Sequence, residues 1–258
     1  MWNDWFSIGP VTVHGYGACI AAGILLALFV ASARGKKKGL NDDYIYGIVF
    51  SAVIFGFFCA KIMYCIVEWK SFIANPISFI SSSGFVVYGG ITGGIISTVV
   101  YTKIKKIDFF EYLEICVPSV ALAQAFGRLG CFMAGCCYGR ETDSFIGIAF
   151  RNSFYAPNDV KLIPTQLISA AANLVNAFIL MFIASKTKKK GTVTACYLML
   201  YSIGRFAIEF LRNDNRGSVG RLSTSQFYGI FMFIAGAVLY AFVTFRKDKE
   251  EVKENEEV

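Results

Sequence analysis

The chain has 258 residues, of which 55% are hydrophobic and 17% are charged, against about 25% charged in an average soluble domain. Its apolar residues come in runs of about 20, the length that crosses a bilayer, so an ordinary soluble globular protein is excluded. The net charge of +7 does not indicate a nucleic-acid surface, because the lysines lie in short loops between apolar runs, as topology signals do.

Seven apolar runs predict an all-α integral membrane protein, a bundle of seven transmembrane helices. The predicted spans are residues 14–33, 44–66, 86–102, 110–132, 165–185, 192–211 and 226–245. The connections after the first, third, fifth and seventh spans are rich in lysine and arginine, and the alternate connections are poorer in them. Basic loops stay in the cytoplasm, so we predict an outer N-terminus and a cytoplasmic C-terminus for one membrane domain over residues 1–245.

The segments outside the spans carry weaker signals. Residues 1–10 are aromatic and lack the basic flank of a cleavable signal peptide, so we expect no processing. The longest loop, about 133–164, is predicted on the outer face and is expected to hold short strands or an amphipathic piece. The tail 246–258 is charged and poor in apolar residues, which predicts disorder.

The first span opens with His14-Gly15-Tyr16-Gly17. His14 is the only histidine of the chain, and a single histidine is more often a structural hydrogen-bonding residue than a catalyst. Tyr16, taken alone, is an aromatic side chain at the membrane interface. In the second span, Lys61 lies about one turn from the outer end, where snorkelling to the interface and a lipid-phosphate contact are equally good interpretations.

The third span is unusually rich in glycine. Gly89 and Gly93, like Gly90 and Gly94, are four residues apart, and small residues at this spacing allow close helix contact in a bilayer. Packing therefore explains the glycines. It does not explain Tyr88, whose hydroxyl group needs a partner if it is buried.

An arginine lies inside the fourth span. Arg128 stands in the stretch Gly127-Arg128-Leu129-Gly130-Cys131-Phe132-Met133-Ala134-Gly135-Cys136-Cys137-Tyr138-Gly139. An ionisable side chain in a membrane helix costs about 3 kcal/mol or more, so it normally marks a functional site.

The sixth span carries three more charges on one helix face: Arg205, Glu209 and Arg212, at spacings of four and three. An internal Arg205–Glu209 pair is the structural interpretation, because buried charges need partners. Arg128, Arg205 and Arg212 against Glu209 leave two positive charges unmatched, which predicts an anionic ligand. A phospholipid head group is the anion available at that depth, and the planar fork of arginine suits a phosphate.

Three of the eight cysteines cluster at the outer end of the fourth span: Cys131, Cys136 and Cys137. Three interpretations stay open: plain packing, a disulfide between Cys131 and one of the other two in an oxidising compartment, and a reactive or acyl-carrying thiol. Zinc is less favoured, because no histidine is near in sequence and the spacing matches no standard set. We therefore predict no metal site.

Taken together, these segments resemble one family, the bacterial prolipoprotein diacylglyceryl transferases. The resemblance runs through nearly the whole chain, in order: His14–Gly17, Tyr88-Gly89-Gly90, Gly127–Gly139, Pro164-Thr165-Gln166-Leu167 and Gly204–Arg212. It implies a seven-helix enzyme of the bacterial plasma membrane that moves the diacylglyceryl group of phosphatidylglycerol onto a lipobox cysteine of a secreted precursor protein. Glycerol phosphate is released, and neither metal nor cofactor is needed; we expect a monomer.

The resemblance also implies roles for individual residues. Arg128 and Arg205 match the essential arginines of the family, and Glu209 and Arg212 match its supporting ion pairs. The implied substrate-binding set also includes His14, Tyr16, Gly89, Gly90, Cys131 and Gly139. The chain departs from the family pattern at three positions: Tyr88 stands for a histidine, Cys131 for an asparagine and Cys136 for an acidic residue.

The implied reaction needs a thiolate, since the thiolate and not the thiol is the nucleophile. Tyr88 is the candidate catalytic group at the position of the histidine of the family, although a phenol ionises near pH 10. Two other functions compete with the transferase. One is a membrane thiol oxidoreductase that uses Cys131, Cys136 and Cys137, and the other is a non-catalytic phospholipid-binding paralogue.

Overall fold

The computed structural model describes residues 4–9, 11–82, 84–214, 217–220 and 222–256. This part of the chain is mainly helical. The helices are α1 Gly15–Lys37, α2 Asp42–Val67, α3 Trp69–Ala74, α4 Pro76–Ser81, α5 Val87–Lys105, α6 Phe109–Ala134, α7 Thr165–Lys186, α8 Thr192–Glu209 and α9 Thr224–Glu256.

A long helix lies over each of the seven predicted spans, so the helical prediction is confirmed. Five of these helices are long and apolar enough to cross a membrane: α1, α2, α6, α7 and the part of α9 over Thr224–Phe245. The other two, α5 and α8, are less apolar, since α5 carries four glycines and α8 carries Arg205 and Glu209. The count of seven spans and the orientation of the termini stay predictions.

Short strands make the all-α description too strict. β1 Asp4–Ile8 pairs with β2 Val11–His14, β3 Ile148–Ala149 with β4 Lys161–Leu162, and β5 Ser218–Val219 with β6 Leu222–Ser223, all antiparallel. In the first hairpin, Gly9 takes a positive φ of 60° at the turn, and the β-branched run Val11-Thr12-Val13 favours a strand. β3 and β4 lie in the loop that was expected to hold short strands.

Both ends of the chain are described only in part. Trp5 and Phe6 of the aromatic N-terminal segment lie exposed on β1, while residues 1–3 and Pro10 lie outside the described residues. At the other end, the backbone of α9 continues to Glu256, through most of the predicted tail. Lysine and glutamate are good helix formers, and a segment joined to an existing helix needs no new nucleus. The disorder of residues 246–258 stays a prediction.

The chain divides into two compact units, one over residues 32–112 and one over residues 1–31 and 113–258. In the smaller unit, α2 and α5 pack through glycine. A Cβ atom on Gly89 would lie 2.5 Å from the carbonyl oxygen of Cys59, and one on Gly93 would lie 2.6 Å from that of Phe55. Close packing at a spacing of four is therefore confirmed for this pair of glycines.

Lys61 has a local role in this unit. Its ammonium group donates to the carbonyl oxygens of Ser82 at 2.6 Å and Gly84 at 3.3 Å, and lies 5.0 Å from the ring centre of Phe85. The side chain therefore holds the connection between α4 and α5.

The larger unit has its core between α6, α7 and α8. Val117 and Ala121 of α6 are buried with Ala177 and Leu180 of α7 and Val193 of α8. These contacts hold together the three helices that carry the charged and polar residues described below.

A buried glutamate closes the N-terminus of α8. Glu114 on α6 is 6% exposed, and its carboxylate accepts hydrogen bonds from the backbone N–H groups of Val193 and Thr194 at 3.1 and 2.9 Å, and from the Thr194 hydroxyl at 3.0 Å. Free N–H groups and the helix dipole both favour an anion there, and Gly191 at the N-cap offers no side chain.

Replacing Glu114 with alanine is expected to destabilise the protein by about 2 kcal/mol or more, because buried donors are left without an acceptor. Thermal unfolding of the purified protein in detergent measures this loss. The exposed Asp143 supplies the control, since its replacement by alanine should leave the midpoint unchanged. Equal midpoints for the two variants would show that α8 does not need this cap.

Candidate active site

The end of α6 folds the chain back on itself. The helix stops at Ala134, and Gly135 follows with a positive φ of 74°. The N–H of Gly135 donates to the carbonyl of Phe132 at 3.1 Å, and the N–H of Cys136 donates to that of Cys131 at 3.1 Å. This is a Schellman motif, in which glycine supplies the left-handed residue after the helix. It returns Cys136 to Cys131, one turn back along the helix.

The three thiols of this turn form one cluster. The Sγ atoms of Cys131, Cys136 and Cys137 all lie within 4.8 Å of one another, and all eight cysteines of the chain are free thiols. Cys137 has a φ of +61°, which is uncommon for a residue other than glycine. Two side chains of α7 hold this conformation: Thr165 donates to the Cys137 carbonyl at 2.6 Å, and Gln166 donates to the Cys136 carbonyl at 2.7 Å.

The cluster ionises unevenly. Hydrogen bonds from the thiols of Cys131 and Cys136, followed by the positive charges of Arg212 and Arg128, lower the pKa of the Cys137 thiol well below its ordinary value. The hydrogen bonds with Cys131 and Cys137 raise the pKa of Cys136. Of Cys136 and Cys137, Cys137 is therefore the first to become a thiolate.

Gly139 lies where three segments meet. Its N–H donates to the carbonyl of Ile163 at 3.0 Å, and the next residue, Arg140, donates from its N–H to the carbonyl of Leu211 at 2.9 Å. The exit of α6, the start of α7 and the exit of α8 are joined in this way. A Cβ atom on Gly139 would lie 2.6 Å from the carbonyl oxygen of Ile163 and 2.8 Å from that of Leu211, so only glycine fits.

Replacing Gly139 with alanine is expected to cost about 3 kcal/mol of stability, at the upper end for overpacking, because the new methyl group meets backbone on two sides. Thermal unfolding in detergent and the yield of folded protein measure the effect. Gly127 is the matched control, since a Cβ atom there has no neighbour within 4 Å, and alanine should be tolerated in that helix. If both variants unfold at the same temperature, the junction tolerates a side chain.

The charged residues of α8 find separate partners. Arg205 forms an ion pair with Glu209 and donates to the hydroxyl of Ser225 on α9 at 2.6 Å. Arg212 binds Asp214 through two hydrogen bonds of 3.0 and 2.7 Å. Burial acts most strongly against the charge of Arg212, but the hydrogen bond with Asp214 and the nearby acidic groups together raise its pKa. The predicted Arg205–Glu209 contact is therefore present, and a surplus of two positive charges is wrong, since Asp214 supplies a second carboxylate.

Of Arg128, Arg205 and Arg212, Arg128 is the one without a carboxylate partner among the described residues. It forms no hydrogen bond or ion pair with any residue in the described ranges, and it lines a small cavity of about 40 Å³. Arg205 lines the same cavity. The two arginines that the sequence singled out are therefore brought together, in a space that admits a few oxygen atoms but not a whole lipid.

The polar residues that line one wall of this cavity were not predicted from the sequence. Ser169, Asn173 and Asn176 of α7 line it, together with Tyr201 of α8. The Oδ1 atom of Asn176 is buried and has no hydrogen-bond partner within the described part of the chain. The signal was visible: these α7 positions are separated by four and three residues, so they share one helix face within an apolar span.

The remaining predicted residues are spread over the fold. His14 ends β2 in an exposed pair with Asp4, at 2.6 Å. Tyr16 packs beside the cysteine-rich stretch, since a Cβ atom on Gly130 would lie 3.1 Å from its ring. Tyr88, Gly89 and Gly90 belong to the smaller unit, where Tyr88 is 41% exposed. Gly90, unlike Gly89, leaves room for ordinary contact with α2.

Comparison with known proteins gives one consistent result. The profile of the prolipoprotein diacylglyceryl transferase family matches residues 3–242. A phosphatidylglycerol–prolipoprotein diacylglyceryl transferase of Clostridium tetani is 44% identical over 94% of this chain and 98% of its own length. The enzyme numbered 2 of Clostridium perfringens is 43% identical over 88% and 90%, and that of Staphylococcus haemolyticus is 33% identical over 91% and 85%.

Proposed function

Since the chain belongs to the prolipoprotein diacylglyceryl transferase family, we propose that it moves the diacylglyceryl group of phosphatidylglycerol onto a cysteine thiol of a precursor lipoprotein. Glycerol phosphate is the other product. The observation that carries this proposal is the cavity shared by Arg128 and Arg205, because the donor lipid has one phosphate and the reaction builds negative charge on it.

Arg128 is proposed to hold the phosphate. Of Arg128, Arg205 and Arg212, it is the one without an ion pair among the described residues, and guanidinium binds phosphate oxygens in bidentate fashion. Arg205 is held by Glu209 and Ser225, so it needs no reorganisation as charge develops. Fixed donors in a site that excludes water are the strongest form of such stabilisation. The volume of the cavity implies that only the phosphate enters it and that the acyl chains stay in the lipid.

The chemical step is a substitution at carbon. The acceptor thiolate attacks the glycerol carbon that bears the phosphate ester, a C–S bond forms and the C–O bond breaks. The electron pair goes to the phosphate oxygen, and glycerol phosphate leaves. The acceptor thiol must first lose a proton, and Tyr88 is proposed to assist at the position where the family has a histidine.

Two single substitutions test the role of Tyr88. Tyr88→Phe removes only the hydroxyl and should lower the transfer rate by about 10²-fold or more if that group handles the proton. Tyr88→His should preserve or raise the rate, since imidazole ionises nearer neutrality. Initial rates at fixed lipid and peptide concentrations give both numbers. A phenylalanine variant with full activity would remove Tyr88 from the catalytic set.

We propose that the enzyme spans the bacterial plasma membrane seven times, as a monomer, with its N-terminus outside. Five helices meet the length and composition for a span. The glycine packing of α5 and the paired charges of α8 supply the reasons why these two less apolar helices also cross. Light scattering in detergent tests the monomer, and protease access to a C-terminal tag in intact cells tests the orientation. Cleavage of that tag from the outside would overturn the proposed topology.

Transfer of glycerol label from phosphatidylglycerol to a lipobox peptide tests the function. The purified protein in detergent should label a peptide with cysteine and not the same peptide with serine. Phosphatidylglycerol that stays bound and unconsumed would indicate the lipid-binding alternative. The three-thiol cluster is the observation that favours an oxidoreductase. That function predicts electron exchange with a quinone or thiol exchange with a partner protein, without use of lipid.

A further inference from the structure

The thiol cluster has the composition of a metal site. Three Sγ atoms lie within 4.8 Å of one another. Zinc binds thiolate at about 2.3 Å, which places the sulfur atoms of a tetrahedral site about 3.8 Å apart. Small side-chain rotations would therefore bring Cys131, Cys136 and Cys137 onto one ion. Thiolates are soft ligands that select zinc or copper(I) over magnesium, calcium and manganese.

The cluster is held in place before any ion arrives. The Schellman turn at Gly135 fixes the Cys131–Cys136 approach, and Thr165 and Gln166 hold the backbone of Cys136 and Cys137. Such outer contacts orient ligands and raise metal affinity. Ligand spacing along the sequence does not indicate this arrangement, because the chain turns back on itself at Gly135.

The number of ligands indicates the kind of site. Among the described residues, the group holds three ligands and no fourth histidine, cysteine, aspartate or glutamate. Structural zinc sites are closed by four protein ligands, whereas catalytic sites keep one position open. The three cysteines are half-buried, so an external group can reach that position.

Charge supports the same assignment. Three thiolates and one Zn²⁺ carry a net charge of −1, and a fourth thiolate makes it −2. Arg128 stands three residues before Cys131 on α6, so the two side chains lie on one face of the helix. A loaded site with a bound thiolate therefore has a cation beside it, which favours its negative charge.

We propose that Cys131, Cys136 and Cys137 bind one Zn²⁺ ion and that its open position takes the acceptor cysteine of the precursor protein. The inference depends on the proposed transferase function. On binding, the acceptor S–H bond breaks, an S–Zn bond forms and the proton passes to water. Zinc lowers the pKa of a thiol that coordinates it, so the thiolate exists at neutral pH. The sulfur then forms the C–S bond to glycerol as the C–O bond to phosphate breaks, and zinc is left as it was.

This assignment accounts for the three departures from the family pattern together. Cys131 and Cys136 replace an asparagine and an acidic residue, and Tyr88 replaces a histidine. A metal that ionises the acceptor removes the need for a strong base, so a phenol suffices to assist the loss of the proton.

Zinc-edge X-ray absorption of the full chain in detergent tests the proposal. After reduction, incubation with excess Zn²⁺ and gel filtration, we expect one zinc per chain with three sulfur ligands. Addition of the lipobox peptide should raise the count to four, and the peptide with serine should leave three. Less than one zinc per chain, or fewer than three sulfur ligands, overturns the site. A count that stays at three with the cysteine peptide overturns the role of the acceptor.

Variants and transfer rates distinguish a failure of the proposed zinc site from a failure of the proposed transferase function. Cys136→Ser and Cys137→Ser should each lose the zinc, while Cys65→Ser, outside the cluster, should keep it. Retention of zinc in both cluster variants overturns the assignment, and the sulfur count of the unaltered protein decides the question if they fail to fold. Removal of zinc should slow transfer about tenfold or more, with recovery on adding Zn²⁺. Full transfer without zinc overturns the inference and leaves the transferase standing, whereas a four-sulfur site without transfer overturns the transferase instead.

Discussion

Replacing Arg128 with alanine is expected to lower diacylglyceryl transfer by about 10²–10³-fold, the usual cost of removing one preorganised donor from a developing oxyanion. The reason is specific to this residue. Arg205 and Arg212 are each paired with a carboxylate, so they cannot supply the missing positive charge. Initial rates of label transfer from phosphatidylglycerol to a lipobox peptide give the number.

Two further variants make the Arg128 result interpretable. Arg128→Lys keeps the charge but not the planar fork, so it should recover only part of the rate. Arg151→Ala removes an arginine whose side chain is 83% exposed and 3.7 Å from Asp159, and it should transfer at the normal rate. A normal rate in Arg128→Ala, in folded protein, would exclude the phosphate clamp.

Replacing Glu209 with alanine is expected to destabilise the protein by about 3–5 kcal/mol, because removing one partner leaves the other charge buried. The Glu209 side chain is 3% exposed and that of Arg205 is 15% exposed. Ser225 would be the hydrogen-bond partner left to Arg205. Thermal or denaturant unfolding in detergent measures the loss, which should appear even without substrate.

A double variant separates the contribution of the Arg205–Glu209 pair to stability from its contribution to transfer. Arg205→Met with Glu209→Leu removes both charges at similar volume, and such replacements are often neutral or stabilising. It should regain most of the stability lost in Glu209→Ala. It should not regain transfer, since the second guanidinium of the cavity is gone. If the double variant is active, the pair serves the fold alone.

The helices of this protein follow from local properties of the chain. Apolar runs of bilayer length predicted the long helices to within a few residues, because burial in lipid favours helices in such runs. The exception is the end of α9, which was predicted at residue 245 and lies at Glu256. The Arg205–Glu209 pair is also local, since spacing of four on a helix brings two side chains together. The spacing of four also correctly predicted that Gly89 and Gly93 allow close helix packing, which the structure shows against α2.

The contacts that could not be predicted join residues far apart in sequence. Glu114 caps α8 by accepting a hydrogen bond from Val193, 79 residues later, and nothing in either segment alone indicates that pairing. The partner of Arg212 was missed for a different reason: Asp214 lies beyond the helix, where periodicity gives no guidance. The polar face of α7 was overlooked because its residues are short and uncharged.

The junction at Gly139 has a consequence for biosynthesis. Arg140 donates to Leu211, and Asn213 donates to Tyr138, so the turn after α6 is completed by backbone that the ribosome delivers much later. Ser225, which binds Arg205, is made later still. A nascent chain released at the end of α7 therefore contains Arg128 and the three clustered cysteines, but it lacks the part of the junction that follows α8. The enzyme becomes competent only near the end of its own synthesis, after its last long helix has begun.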